Sequence, residues 1–276
     1  MKTILRTLAA FLSMVVPAFA ADGIAFISDI RGEVAVDGSA RPMLLSELSK
    51  GQRVSVGRDS QASVMYITTG KEYILKGPAD YIVKDTEIAG SIMPPVSRST
   101  EWRASSRVLT QVAQTSAASV RMRSIAAPKV DAVKVSYPAE GSIATLQPVF
   151  RWRAGDPKAP AEFTLRVVGQ DKPVHVAKAA AGGAYTVPAK LRPDTEYAWT
   201  AIAGGNELGA GVFRTLSNEA LARIDKRRPQ ERAEFSDRLH FTLMLHEMGA
   251  TQEARESWAR LSQERSDLPE LSSLAR

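Results

Sequence analysis

Along this chain the spacing of hydrophobic positions changes character twice. Between residues 24 and 85, five short runs, "IAFISDIRGEVAV", "RVSVG", "ASVMYITTG", "EYILKG" and "DYIVKD", are rich in β-branched and aromatic side chains. Gly32, Gly38, Gly57, Gly70 and Gly77-Pro78 punctuate them. Such runs bounded by glycine and proline predict strands joined by turns. In one run Val64, Tyr66 and Thr68 alternate with Ser63, Met65 and Ile67, and both sets are fairly apolar. The pattern predicts a compact sandwich or rolled sheet within residues 21–90.

A second series, within 131–216, reads as seven strands: "VKVSY", "PVFRWR", "FTLRVVG", "PVHVAK", "AYTVP", "EYAWTAIAG" and "GVFRTL". Even spacing of short strands indicates a β-sandwich. The stretch "QPVFRWRAG" poses a choice between an exposed aromatic grip for a ligand and a buried pair. Side chains alternate across a strand, so Phe150 and Trp152 are expected inside and Arg151 and Arg153 in water. Tyr197, Trp199 and Ala201 share the inner face of a later strand by the same rule. A sugar platform would need the large aromatics exposed together, and here they take core positions.

From 217 to 276 the period becomes helical. Ser217 is an expected N-cap and Glu219 lies near the positive end of the helix dipole; Pro229 interrupts. "ERAEFSDRLHFTLMLHEMG" aligns Phe235, Leu239, Leu243 and His246 on one stripe, and Gly249 ends that helix. "TQEARESWARLSQERSD" aligns Ala254, Trp258 and Leu261. The fold class expected is therefore mainly β with a C-terminal α-helical tail.

Between the two β series, residues 91–130 are rich in Ser, Ala and Arg. Arg98 to Lys129 holds six cations and one acid, Glu101. This composition predicts a solvated linker with one helix near 100–114, where Trp102, Val108 and Val112 could cover a sheet. A sharper alternative is a basic strip that touches peptidoglycan or anionic lipid.

The first twenty residues, with Lys2 and Arg6 before a short apolar run and Ala18-Phe19-Ala20, have the form of a secretory signal peptide cut after Ala20. No other stretch could cross a bilayer, so the mature chain is expected to have no transmembrane segment. The chain has no cysteine, which excludes disulfides, thiol catalysis and Cys-based metal sites. These features point to the bacterial periplasm. Loss of Lys2 and Arg6 removes two charges from a formal net charge of +6; the surplus that remains is small, and an exported protein rarely meets nucleic acid.

Three resemblances sharpen the picture. "IRGEVAVDG" followed by "LSKGQRVSVGRDSQASVMYITTGKEYILKGPADY" resembles the FecR-like domain, with Gln52 after Gly51 and Thr69 before Gly70 departing from its usual acidic residues. That resemblance implies a periplasmic β module of signalling or envelope interactions, without catalysis. "LRPDTEYAWTAIAG" resembles the tyrosine-corner approach to strand F of fibronectin type III domains, where the Tyr197 hydroxyl would tie the preceding loop to the sheet, and "PVFRW" resembles their strand B. The tail resembles a single tetratricopeptide-repeat hairpin through Gly249, Ala254, Trp258 and Leu261. Thr242 and the late Pro269 depart from that motif.

Residues with catalytic potential form no motif. "HEMGA" lacks the second histidine of HExxH because position 250 is Ala. His240 and His246 fall on different sides of a helix, and His175 lies in an expected strand. "GGNELGAG" has no following helix to hold a phosphate, and no two carboxylates are paired as acid and base. No enzyme, metal or cofactor is expected. The expectation is a non-catalytic periplasmic interaction or scaffold protein that binds another envelope protein, with a glycan-binding module that holds peptidoglycan as the alternative. A lone helical hairpin leaves apolar surface without a repeat neighbour. It is expected to pack partly on the preceding sandwich and to leave an apolar groove near Leu243, Leu245 and Trp258 for a partner segment.

Overall fold

A computed structural model describes residues 23–40, 42–100, 109, 136–153, 160–179, 183–230 and 232–275. The expected leader and most of the 91–130 segment lie outside these residues. The described chain is mainly β, with helices gathered at the C-terminal end.

The first β region is a sandwich of two five-stranded sheets. One sheet contains β1 (Ala25–Arg31), β4 (Glu47–Leu48), β6 (Gln61–Tyr66), β7 (Lys71–Lys76) and β10 (Val96–Ser99), in the order β10-β7-β6-β1-β4. The other contains β2 (Val34–Val36), β3 (Ser39–Ala40), β5 (Arg53–Val56), β8 (Ala79–Val83) and β9 (Ile88–Gly90), in the order β3-β2-β5-β8-β9. Ile27, Val64, Tyr66, Tyr73, Val54 and Tyr81 fill the space between them. The region runs past residue 90, because β10 pairs with β7 from Val96 to Ser99.

Alternation places Phe26 and Met65 on the opposite face of the first sheet, and that face is also dry. Its cover is the C-terminal helices: α1 (Asn218–Arg227), α2 (Phe235–Glu247), α3 (Thr251–Glu264) and α4 (Pro269–Leu274). Phe26, Leu44, Leu45, Met65 and Ile67 form one core with Ile224, Phe235, Leu239, Leu243, Trp258, Leu261 and Leu271. The first sheet is thus the middle layer of three. Of the helix expected near 100–114, only Thr100 and Leu109 are described; Thr100 is not helical and its N–H donates to the Gly70 carbonyl at 3.0 Å, while Leu109 is helical and buried in this same core.

The middle region pairs a five-stranded sheet with a two-stranded one. The larger sheet has β11 (Ser142–Ile143), β13 (Ala161–Val167), β14 (His175–Ala179), β16 (Glu196–Ala203) and β17 (Asn206–Thr215), in the order β11-β17-β16-β13-β14. The smaller pairs β12 (Val149–Arg151) with β15 (Ala184–Thr186). Phe150 and Trp152 are buried between the sheets with Phe163, Trp199 and Phe213. Phe150 meets Phe163 with ring centroids 4.8 Å apart and Trp199 at 5.4 Å. The aromatic pair is core. The Tyr197 hydroxyl accepts a hydrogen bond from the Arg192 N–H at 3.0 Å, tying the loop before β16 to the sheet.

The helix ends follow the sequence. Ser217 Oγ accepts from the Ala220 N–H at 3.2 Å as an N-cap, and α1 stops before Pro229. Gly249, at φ +74°, takes the left-handed conformation that reverses the chain between α2 and α3. Thr242 stands where the two helices cross, and its hydroxyl lies 2.6 Å from that of Ser257 and donates to the Arg238 carbonyl at 2.8 Å. A buried hydroxyl pair replaces the small residue that would otherwise sit there.

Candidate partner-binding groove

The residues expected to line an exposed apolar groove do not do so. Leu243, Leu245 and Trp258 are 0%, 3% and 2% exposed. All three belong to the core between the helices and the first sheet. The stripes of α2 and α3 find a permanent apolar neighbour in Phe26, Met65 and Ile67, so they offer no surface at those positions. The helices also share more of their apolar core with the first sandwich than with the middle region, which adds only the partly buried Ala144 and Leu216 to it.

Two polar anchors hold the helical layer against the first sandwich. At the first, Arg265 follows α3 and its guanidinium pairs with Asp29 on β1. It also donates to the Ile30 carbonyl at 2.5 Å and to Asp267 through Nε at 2.9 Å and Nη2 at 2.8 Å. Hydrogen bonds from Arg265 hold the Asp267 carboxyl below its ordinary pKa. At the second anchor, the Leu44 N–H donates to Glu270 Oε1 at 2.8 Å. The loop that presents Leu44 is fixed: Leu45 is buried at φ +65°, and its N–H donates to the Ile27 carbonyl at 2.9 Å. A non-glycine residue holds that conformation only where its surroundings compel it.

Between the anchors runs a groove of about 780 Å³. One wall is the rim of the first sandwich, with Ile30, Glu33, Val34, Pro42 and Met43. The other is the turn from α3 into α4, with Asp267, Leu268, Pro269 and Glu270. Met43 is 41% exposed, an apolar side chain presented to solvent at the edge of a preformed cleft. A volume of this size matches sites that hold small ligands or short segments. Pro269 begins α4, where its missing N–H costs no helical hydrogen bond, and so fixes the corner of the second wall.

A second cluster lies on the helix-covered face of the first sheet. Arg98 on β10 pairs with Glu72 at 2.5 Å and with Asp237 at 2.9 Å, and donates to Ser236 at 2.8 Å. Ser28 donates to Glu72 at 2.8 Å. Every charge here is met by a partner, so the cluster fastens α2 to the sheet. Beside it a cleft of about 400 Å³ is lined by Arg227, Gln230, Arg232, His240 and Phe241 among others. His240 is buried edge-on to Phe26, with ring centroids 6.2 Å apart. Burial, with the nearby Arg98 charge, lowers its pKa to about 3, so it is neutral at ordinary pH.

Polar contacts join the middle sandwich to the helices beside the apolar packing of Ala144 and Leu216. Glu253 Oε1 accepts from the Ala144 N–H at 2.7 Å and from the Tyr137 hydroxyl at 3.2 Å. Ser142 N–H donates to the Gly249 carbonyl at 3.0 Å. Arg151, outside the aromatic core, lies 4.7 Å over the Tyr137 ring and pairs with Glu256 at 2.7 Å. Burial raises the pKa of Glu253, and its Oε2 has no hydrogen-bond partner among the described residues. His175, on the edge strand β14, lies 2.7 Å from the Tyr185 hydroxyl, whereas His240 and His246 are both on α2.

Among the described residues no group of three or more His, Asp or Glu side chains is placed to hold a metal ion. No helix among them is long and apolar enough to cross a membrane. Glu33, Met43 and Glu270, which meet in the groove, were not apparent in the sequence because the two walls come from opposite ends of the chain. No family model matches the chain, and no curated protein is significantly similar to it.

Proposed function

We propose that this is a non-catalytic periplasmic interaction or scaffold protein of the cell envelope, and that it receives a segment of another envelope protein in the groove between its first sandwich and its C-terminal helices. The observation that carries this reading is the groove itself. It is an open cleft lined by apolar side chains and three carboxylates, whose walls are locked together by the Arg265–Asp29 and Glu270–Leu44 contacts. A preformed cleft lowers the ordering cost that a partner segment pays on binding.

The domain likenesses support the same reading. The first sandwich fits a FecR-like module of signalling or envelope contact. The buried Phe150–Trp152 pair and the Tyr197–Arg192 hydrogen bond support a fibronectin type III-like reading of the middle region. The tetratricopeptide-like hairpin supplies the third layer. Export through the leader at 1–20 would place all of this in the periplasm.

The test is site-specific photocrosslinking. Met43→p-benzoylphenylalanine in the full mature chain, irradiated in an envelope extract, should yield a discrete protein adduct, whereas the same label at the exposed Glu219 should not. An adduct from neither position, together with sedimentation of the protein on purified peptidoglycan, would replace this reading with the glycan-binding one.

A further inference from the structure

We infer that the groove takes a cationic, extended peptide segment, whose lysine or arginine meets Glu33 and Glu270 while its apolar side chains meet Ile30, Met43 and Leu268. This rests on the reading of the groove as the partner site and adds the chemistry of what enters it.

Three carboxylates reach the groove, and they differ in how their charge is met. Asp267 is paired with Arg265 at 2.8 Å. Glu33 is exposed and enters no ion pair among the described residues. Glu270 is only 6% exposed. Its Oε1 accepts from Leu44, and no described residue donates to its Oε2. That second oxygen is open to an incoming cation, whose donated hydrogen bond would be charge-assisted. Two carboxylates without an ion-pair partner among the described residues therefore select for positive charge and against negative charge.

The apolar share of the walls says what carries that cation. Ile30, Met43 and Leu268 flank the acids, so a free ion would leave most of the cleft unfilled. An extended chain sets side chains to alternate sides, and can place a basic group on the acids and apolar groups on the walls in one pass.

Fluorescence anisotropy on the full mature chain tests this with three labelled octapeptides in which valine alternates with lysine, with glutamine or with glutamate. The lysine peptide should bind and the glutamate peptide should not. Glu33→Gln and Glu270→Gln should each weaken the lysine peptide about tenfold, the value of one charge-assisted contact. The Glu270→Gln change keeps an amide oxygen for the Leu44 N–H, and an unchanged melting temperature will confirm an intact fold. Glu219→Gln, on the exposed face of α1, should leave binding unchanged. Equal binding of all three peptides, no binding of the lysine peptide, or equal losses in Glu219→Gln and Glu33→Gln would overturn the proposal. So would displacement of the peptide by equimolar spermidine, which would make the ligand a small polyamine. A photoadduct at position 43 that survives the Glu33→Gln, Glu270→Gln double change would keep the groove as partner site while discarding the cationic segment.

Discussion

Asp29 on β1 and Arg265 beyond α3 form an ion pair across 236 positions of the chain, with side chains only 6% and 12% exposed. The pair closes the helical layer onto the first sheet, and Asp267, which Arg265 also holds, lines the groove. Arg31 also contacts Asp29, at 3.0 Å, but from an exposed position. Arg265→Ala should therefore destabilise the protein by about 3 kcal/mol, the low end for breaking a buried pair, since Arg31 still offers Asp29 a partner. Arg151→Ala breaks a pair in which both side chains are over 40% exposed and should cost no more than about 1 kcal/mol. Urea unfolding of both variants checks the contrast, and equal losses would contradict the anchor role of Arg265.

The middle sandwich gives a second expectation. Trp152→Ala empties a core site beside Phe163 and Trp199 and should cost about 3–5 kcal/mol. Trp199 carries an additional polar role, because its indole N–H donates to the Pro138 carbonyl at 2.6 Å, whereas Trp152 Nε1 has no partner among the described residues. Trp199→Phe should thus destabilise more than Trp152→Phe. Thermal melting of the two phenylalanine variants decides the order.

A chain ended after Thr215 should lose the cooperative transition of its first sandwich. It would expose Phe26, Leu44, Leu45, Met65 and Ile67 together, a patch that soluble proteins do not leave bare. The middle sandwich, with its own aromatic core, should still melt as a unit. Strong binding of a hydrophobic dye and partial aggregation are expected; two intact transitions would show that the helices are dispensable to the first sheet.

Glu253 and His240 should shape the pH profile with opposite signs. Burial raises the Glu253 pKa, so the folded state holds its proton more tightly than the unfolded one. The stability this confers is complete below about pH 4.3, the ordinary glutamate value, and is lost as pH rises through the raised pKa. Glu253→Gln should remove that part of the decline. His240 is depressed to about 3, so its contribution is present above about pH 6.5 and is lost as pH falls toward 3. His240→Phe should move acid unfolding to lower pH. Melting temperatures from pH 3 to 8 for both variants measure these slopes.

Much of this architecture is readable in local spacing. Alternation put Phe150 and Trp152 inside, Ser217 announced a helix start, and Gly249 a reversal. What local spacing withholds is the identity of the surface that a stripe meets. The apolar faces of α2 and α3 imply burial but not against what, which is why Leu243, Leu245 and Trp258 suggested an open groove. A signal was nevertheless present in and just after β6, where Ser63, Met65 and Ile67 make the second face nearly as apolar as the first. A strand apolar on both sides belongs to a sheet covered on both sides. The groove left no such mark, because Glu33 and Glu270 become neighbours only through the packing of α4 against the rim of β1 and β2.

Covering the first sheet with the last helices also sets an order of events. A ribosome delivers residues 23–100 long before residues 218–275, so the outer face of the first sheet must wait for its cover. Closure over such a separation is entropically costly and kinetically late. During that interval Phe26, Met65 and Ile67 form a sticky platform that a holding chaperone would recognise. Refolding of the full chain should accordingly show the middle sandwich maturing ahead of the helix-capped layer, although the capped layer begins with the earlier-made strands.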